Sequence, residues 1–195
     1  MSTRSKVVSL WLATGLAALA QSPDLLKADS AIRFNVAADA PVSVVSTDLG
    51  DSRVQARGGA MVLDLHATLT LRNNGSQNIR GVTMLVLAQE MTPGGKGSVA
   101  IPSLNVAPGR NFPVRINLRL LRPLPAPVGP LVEVGLDGVL FADLSFVGPN
   151  RLESRRTMTA WELEARRDRE YLKAVLEKNG PEGLQHEILA SLSRQ

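Results

Sequence analysis

The side chains whose spacing could support chemistry lie on one predicted strand. Asp64, His66 and Thr68 are two residues apart, so a strand would place them on the same face. Aspartate and histidine are both metal ligands, but two ligands on an exposed strand rarely make a site, and a solvated polar face is the favoured interpretation. The second histidine, His186, falls in a charged helical region and is expected to be exposed. The sequence therefore predicts no catalytic residue and no metal ligand.

A glycine-rich segment at residues 94–98 has some features of a phosphate-binding loop. Its glycines lack the required spacing, it follows Pro93, and it leads into a predicted strand instead of a helix. A hairpin loop is therefore favoured. The chain also contains neither a Gly-x-Ser-x-Gly motif nor a dinucleotide-binding fingerprint, so no cofactor is predicted.

Composition removes several classes of function. The chain of 195 residues has no cysteine and two histidines, which excludes disulfides, thiol nucleophiles and cysteine-ligated metals. Residues 42–149 contain no tyrosine or tryptophan, the usual platforms of sugar-binding modules. Arg115 and Arg119, with Arg72, could form a basic stripe that meets an anionic polymer, a lipid or an acidic partner. The net charge of +4 is too modest to predict nucleic-acid binding.

Residues 1–20 have the three parts of a secretory signal. Arg4 and Lys6 precede fourteen uncharged, mostly apolar residues at 7–20, and Ala18-Leu19-Ala20 fits a cleavage site. The run is shorter than the roughly 20 apolar residues that a membrane span needs. The sequence therefore predicts cleavage and export to the periplasm or exterior of a bacterial cell. An uncleaved membrane anchor and a buried helix of a cytosolic protein are the alternatives.

Period-two alternation of apolar and polar residues predicts the strands. It is clearest over residues 61–72, and it returns at 82–89 and 112–120. Asp137-Gly138 is predicted as a hairpin turn because it separates two further apolar runs. Those runs and the shorter predicted strands lie at residues 131–136, 139–147, 42–47 and 98–104.

Residues 42–149 are therefore predicted to form an antiparallel β-sandwich or barrel, after a lead-in segment at 21–41. No helical pattern separates the strands, so a parallel sheet is not expected. Four prolines are expected to form an extended connection between the two sheets, because they cannot occupy a central strand. They are Pro123, Pro125, Pro127 and Pro130.

Two segments carry a family resemblance. One covers residues 69–82, with the turn Asn73-Asn74-Gly75-Ser76, and the other covers residues 104–118, with the turn Pro108-Gly109. Both resemble immunoglobulin-like and fibronectin type III-like modules of exported bacterial proteins, including cell-adhesion-related domains. The resemblance implies an immunoglobulin-like β-sandwich and a role in adhesion, spacing or ligand presentation. The chain lacks the cysteine pair and the sandwich tryptophan of a true immunoglobulin domain, so no binding residue is transferred.

Residues 150–195 change to a helical period and are predicted to form a helical hairpin. The chain stops the first helix at Asn179-Gly180-Pro181 and can start a second one there. Trp161 and Leu172, on the apolar stripe of the first helix, are candidate contacts with a partner. The alternative is that the hairpin packs across the sandwich, with its glutamates and arginines on a solvated face where Glu162 and Arg166 pair at i,i+4. The apolar residues of the two helices are Met158, Trp161, Ala165, Leu172, Val175, Leu184, Ile188 and Leu192.

Together these features predict an exported, non-enzymatic scaffold or protein-interaction module of the bacterial envelope. Its expected partner is a protein of the envelope; contact with a membrane is expected only if the N-terminal segment is uncleaved, and contact with nucleic acid is not expected. The candidate partner-binding residues are Arg115, Arg119, Trp161 and Leu172. The alternatives are an accessory subunit or enzyme with an unrecognised site, for which His66 with Asp64 is the one chemical handle, and a membrane-anchored envelope protein.

Overall fold

The computed structural model describes residues 24–25, 32–57, 59–88, 96–123, 130 and 132–193. The predicted signal segment, the start of the glycine-rich loop and most of the proline-rich connection lie outside these residues. The described chain is mainly β structure with one C-terminal helix. In chain order it contains β1 (Asp24–Leu25), β2 (Ile32–Asn35), β3 (Val42–Asp48), β4 (Arg53–Arg57), β5 (Ala60–Asn73), β6 (Ile79–Ala88), β7 (Lys96–Ile101), β8 (Asn111–Pro123), β9 (Val132–Phe141), β10 (Phe146–Val147) and α1 (Ser154–Leu192).

The first sheet is built around β5, a strand of 14 residues. β3 and β4 pair with successive parts of β5, β8 pairs with nearly its whole length, and β1 pairs with β4. All these pairs are antiparallel. The alternation predicted for residues 61–72 is confirmed, because Leu63, Leu65 and Leu69 are fully buried whereas His66 is exposed.

The second sheet has the order β10-β9-β6-β7, with β2 also paired to β9. The β2–β9 pair is parallel, so the prediction of a purely antiparallel architecture is wrong at this edge. β2 also lies in the segment predicted as a lead-in. The two strands are separated by most of the domain, and a parallel pair requires such a long connection. A local pattern therefore carries no signal for this contact.

The hairpin predicted at Asp137-Gly138 is wrong. Both residues lie inside β9, which continues from Val132 to Phe141. The register shifts here: Thr83 pairs with Gly138, and Met84 pairs with Leu136. Asp137 is thus the extra residue of a β-bulge, a feature that redirects a side chain without ending the strand.

The two sheets contribute to a single hydrophobic core. Leu69 and Ile116 come from the first sheet, and Val82, Met84 and Val134 come from the second. None of these five side chains is more than slightly exposed. The edge strand β8 follows the predicted alternation, with inward residues in this core and outward residues exposed.

The helix α1 has 39 residues and follows the predicted helical period from its first residue. Its backbone is interrupted at Gly180, with φ 69° and ψ −175°, and Pro181 comes next. The predicted stop corresponds to this interruption, but the predicted hairpin of two helices is not confirmed, because the chain continues as one kinked helix. In the part of the chain that the structure describes, no helix has both the length and the apolar content of a membrane span.

Candidate functional site

The bulge in β9 directs Asp137 toward the start of α1. Its carboxylate accepts hydrogen bonds from the backbone N–H of Arg151, at 2.7 Å, and of Leu152, at 3.3 Å. It also accepts a bond from the Ser154 hydroxyl. The helix has no acidic residue in its first turn, and Glu153 makes no side-chain cap. Asp137, which is 1% exposed, therefore supplies from the sheet the negative charge that a helix N-terminus favours.

One turn further along, Met158 packs on β6. It is 2% exposed, and the Thr83 hydroxyl lies 3.4 Å from its sulfur. A Cβ atom at Gly81 would come within 2.8 Å of that sulfur. The helix can approach β6 this closely because residue 81 has no side chain.

Glu162 makes the third contact of the helix with the sheet, and it is a buried carboxylate. It is 2% exposed, and its Oε1 accepts hydrogen bonds from Arg166 Nε at 3.1 Å and Arg169 Nη2 at 2.8 Å. Arg80 on β6 places its Nε 3.7 Å from the same oxygen. Arg166 also donates to the backbone carbonyl of Ala142, just after β9. We call Arg80, Arg166 and Arg169 the arginine cluster.

The arginine cluster carries more charge than Glu162 balances. Three guanidinium groups surround one carboxylate, and the Arg80, Arg166 and Arg169 side chains are 24%, 35% and 48% exposed. Two buried atoms, Glu162 Oε2 and Arg80 Nε, have no hydrogen-bond partner among the described residues. The base of the helix is therefore a partly buried site with an excess of positive charge and of hydrogen-bond donors.

The loop beside the cluster holds another carboxylate. Asp143 is exposed and receives hydrogen bonds from the Gln77 amide and the Ser145 backbone N–H. The Ser145 and Gln77 side chains lower the pKa of Asp143 from 3.8 to about 2. Asp143 stays ionised under ordinary conditions, with its charge directed to these neighbours.

Beyond the base, α1 leaves the sheet. Ser154, Met158 and Glu162 are its only buried residues, so no side chain of residues 163–192, which we call the projecting segment, is buried. Leu172 and Val175 are half-buried and Leu176 is 41% exposed. These three positions lie on one side of a helix. Other large apolar side chains of the segment are also exposed, namely Leu163, Tyr171, Ile188, Leu189 and Leu192.

A cleft of about 290 Å³ lies next to the start of α1. Leu85, Leu87 and Leu136 give it an apolar floor, and Glu133 and Arg151 are among its charged lining residues. Arg151 also belongs to the loop held by Asp137. The cleft and the helix base are therefore neighbouring features of the second sheet.

The predicted site residues fall on two separate faces. Arg115 and Arg119 are exposed on β8 in the first sheet, and α1 packs on the second. In the register, Arg119 stands opposite Asp64, so the basic stripe has an acidic neighbour. Trp161, which is 39% exposed, lies at the helix base, and Leu172 lies on the projecting segment.

Asp64 and His66 do come together, with Oδ1 and Nε2 3.5 Å apart. The other ring nitrogen of His66 lies 3.2 Å from Asn117 Oδ1. These side chains stand on the outward face of a sheet and do not line the cleft beside the start of α1. Among the residues that the structure describes, no group of three metal-ligating side chains occurs.

Sequence reasoning missed Asp137 and Arg80, and assigned Glu162 only to a surface ion pair. The predicted pair of Glu162 with Arg166 at i,i+4 is confirmed, but the carboxylate is buried. The one signal in the sequence was that spacing, which is equally typical of a solvated helix face.

No protein-family model matches the chain, and no curated protein or solved structure is significantly similar to it.

Proposed function

We propose that this protein is a non-enzymatic interaction module exported to a bacterial envelope, and that it presents α1 to a protein partner. The observation that carries the proposal is the projecting segment: it continues past the sheet with apolar side chains that the described chain leaves half-buried or exposed. Most helical stability in proteins comes from packing of an amphipathic face, so a helix of this kind gains stability from packing on another surface.

The apolar side of the projecting segment suits helix recognition. Leu172, Val175 and Leu176 follow the spacing that amphipathic helices use when they lie in a groove or beside another helix. The segment also bears ions of both signs, such as the Lys173–Glu177 pair at 3.7 Å. The apolar row would supply the buried contacts of an interface, and the charges would form its polar rim.

The base of the helix reduces the conformational entropy that is lost when a partner binds. Asp137 accepts hydrogen bonds from Arg151 and Ser154, and Arg166 donates to the Ala142 carbonyl, so directional bonds attach the first turns to the second sheet and fix the direction in which the projecting segment starts. Fewer degrees of freedom are then lost when a partner binds.

We also propose that the two sheets form an immunoglobulin-like sandwich that supports the helix. The single hydrophobic core that the sheets share supports this proposal.

The composition of residues 1–20 supports export, which places the partner in the envelope or outside the cell. An uncleaved N-terminal segment would keep the same module at the membrane surface.

Leu172→Asp is the direct test of the helix surface, with Ala174→Asp as its matched control. Leu172 lies on the apolar side of the segment, and Ala174 is exposed about 160° away around the helix. We expect the Leu172 variant to bind an envelope protein recovered with the wild type about tenfold more weakly, and the control to bind unchanged.

The partner is first identified by crosslinking in intact cells, then purified, and its affinity is measured by calorimetry. Hydrogen exchange in the complex should slow at residues 163–179. Equal affinity of both variants, or protection confined to the β domain, would contradict the proposal.

A further inference from the structure

The arginine cluster has a charge that the described chain leaves unbalanced. Arg80, Arg166 and Arg169 share Oε1 of Glu162, so the group retains a net charge of two positive units. Partial burial reduces the screening of this charge by water. The cluster therefore attracts a further negative group more strongly than the same arginines would on an open surface.

The arginines also retain unused donors. Arg80 donates Nη1 to the Leu104 carbonyl at 3.4 Å, Arg166 donates Nε and Nη2, and Arg169 donates Nη2. Each guanidinium carries five N–H donors in a rigid fork. Several N–H groups of every arginine in the cluster thus have no acceptor among the described residues, and one of them, Arg80 Nε–H, is buried.

No second acidic side chain of the described chain serves the cluster. Asp143, in the adjacent loop, receives the donors of Gln77 and Ser145 and forms no ion pair with an arginine. Glu177 pairs with Lys173 further along the helix. Among the described residues, Arg80, Arg166 and Arg169 therefore form ion pairs with Glu162 alone.

We propose that the arginine cluster binds a carboxylate group supplied by an acidic side chain of the protein partner. Guanidinium forks match the planar carboxylate and bind it through two parallel hydrogen bonds. The cluster lies where α1 leaves the sheet, and Leu172 follows Arg169 by three positions on the same side of the helix. A partner lying along the apolar row therefore reaches the cluster with its own acidic residues.

The protein origin of the carboxylate rests on the proposed function, but binding of the group itself does not. The full chain, labelled with ¹⁵N, is titrated with an oligoglutamate peptide, with inorganic phosphate and with chloride at one ionic strength. The signals followed are the arginine Nε–H resonances. We expect the peptide to shift the Arg80 and Arg169 resonances saturably, phosphate to bind more weakly, and chloride to cause no saturable shift.

Arg169→Gln should weaken peptide binding about tenfold, corresponding to the loss of one charge-assisted contact. Arg167→Gln is the matched control, because Arg167 is an exposed arginine of the same helix with no ion pair to a described residue, and it should bind as the wild type does. Arg169→Lys keeps the charge but loses the fork, and should give an intermediate affinity. The melting temperature of each variant confirms that it is folded.

Shifts that only follow ionic strength, or equal affinity in the Arg169 and Arg167 variants, would overturn the proposal. Tighter binding of phosphate than of the peptide would overturn the carboxylate assignment. The wild-type titration alone decides whether the Arg80 resonance responds, even if a variant does not fold. Failure here leaves the Leu172→Asp experiment on the helix surface unaffected, so the two proposals fail separately.

Discussion

Replacement of Asp137 tests whether the β-bulge holds the base of α1. The carboxylate is 1% exposed and accepts bonds from two backbone N–H groups and one hydroxyl. Asp137→Ala leaves these donors without an acceptor in a buried place. Asp137→Asn keeps one oxygen for the Arg151 N–H but removes the charge.

The expected loss follows from the number and geometry of these bonds. Hydrogen bonds to a charged group contribute about 1.5–3 kcal/mol each. The bond to Leu152, at 3.3 Å, is the weakest, so two strong bonds remain to be counted. We expect Asp137→Ala to weaken attachment of the helix base by about 3–6 kcal/mol, and Asp137→Asn to weaken it by about 1–2 kcal/mol. The larger value is a considerable part of the roughly 5–15 kcal/mol that stabilises a domain.

Urea unfolding followed by two probes measures this loss. Trp161 is the only tryptophan outside the predicted signal segment, and it lies between Met158 and Glu162 at the helix base. Its fluorescence therefore reports detachment of the base, whereas the backbone amide NMR signals of β5 and β8 report unfolding of the β domain. In Asp137→Ala the fluorescence transition should precede the transition of the strands.

Asp168→Ala is the control, because Asp168 is an exposed aspartate of the same helix and forms no ion pair within the part of the chain that the structure describes. This variant should have the same urea midpoint of the fluorescence transition as the wild type. If Asp137→Ala keeps coincident transitions with an unchanged midpoint, Asp137 does not hold the helix, and the bulge has another origin.

Two further predictions concern the N-terminus and the loop after β9. Mass spectrometry of the mature protein should find residue 21 as the first residue; an intact Met1 in a membrane fraction would contradict cleavage. Carboxyl NMR should give Asp143 a titration midpoint of about 2, which Ser145→Ala should raise toward 3.8. Because the folded-state pKa is the lower one, the stability from this group is present above pH 3.8 and is lost as the pH falls toward 2. A midpoint unchanged by Ser145→Ala would show that its hydroxyl is not the cause.

The long strands could be predicted because their local pattern reflects burial on one face. β5 and β8 alternate along their length, and that alternation places Leu69 and Ile116 in the core. The parallel β2–β9 pair could not be predicted in this way. Its two strands are far apart in sequence, and β2 is too short for its alternation to decide its partner.

The site was harder to predict than the fold because its important residues are polar. Asp137-Gly138 suits a tight turn and a bulge equally well, and only the register with Thr83 and Met84 distinguishes the two. Glu162 has the spacing of a surface ion pair, and its burial depends on Arg80 from a distant strand. A local pattern assigns such residues to solvent.

The polar composition of the helix base has a physical consequence for the proposed function. Met158 alone would give a non-directional contact, about which the helix could rotate or slide. Asp137 of β9 must be hydrogen-bonded because it is buried, and its donors come from the start of α1, while Arg166 of α1 donates to the Ala142 carbonyl. These polar contacts contribute direction as well as stability. The direction of the projecting segment up to Gly180 is what allows Leu172 and the whole arginine cluster to meet the same partner, because a helix free to rotate would carry the apolar row, Arg166 and Arg169 away from Arg80 on β6.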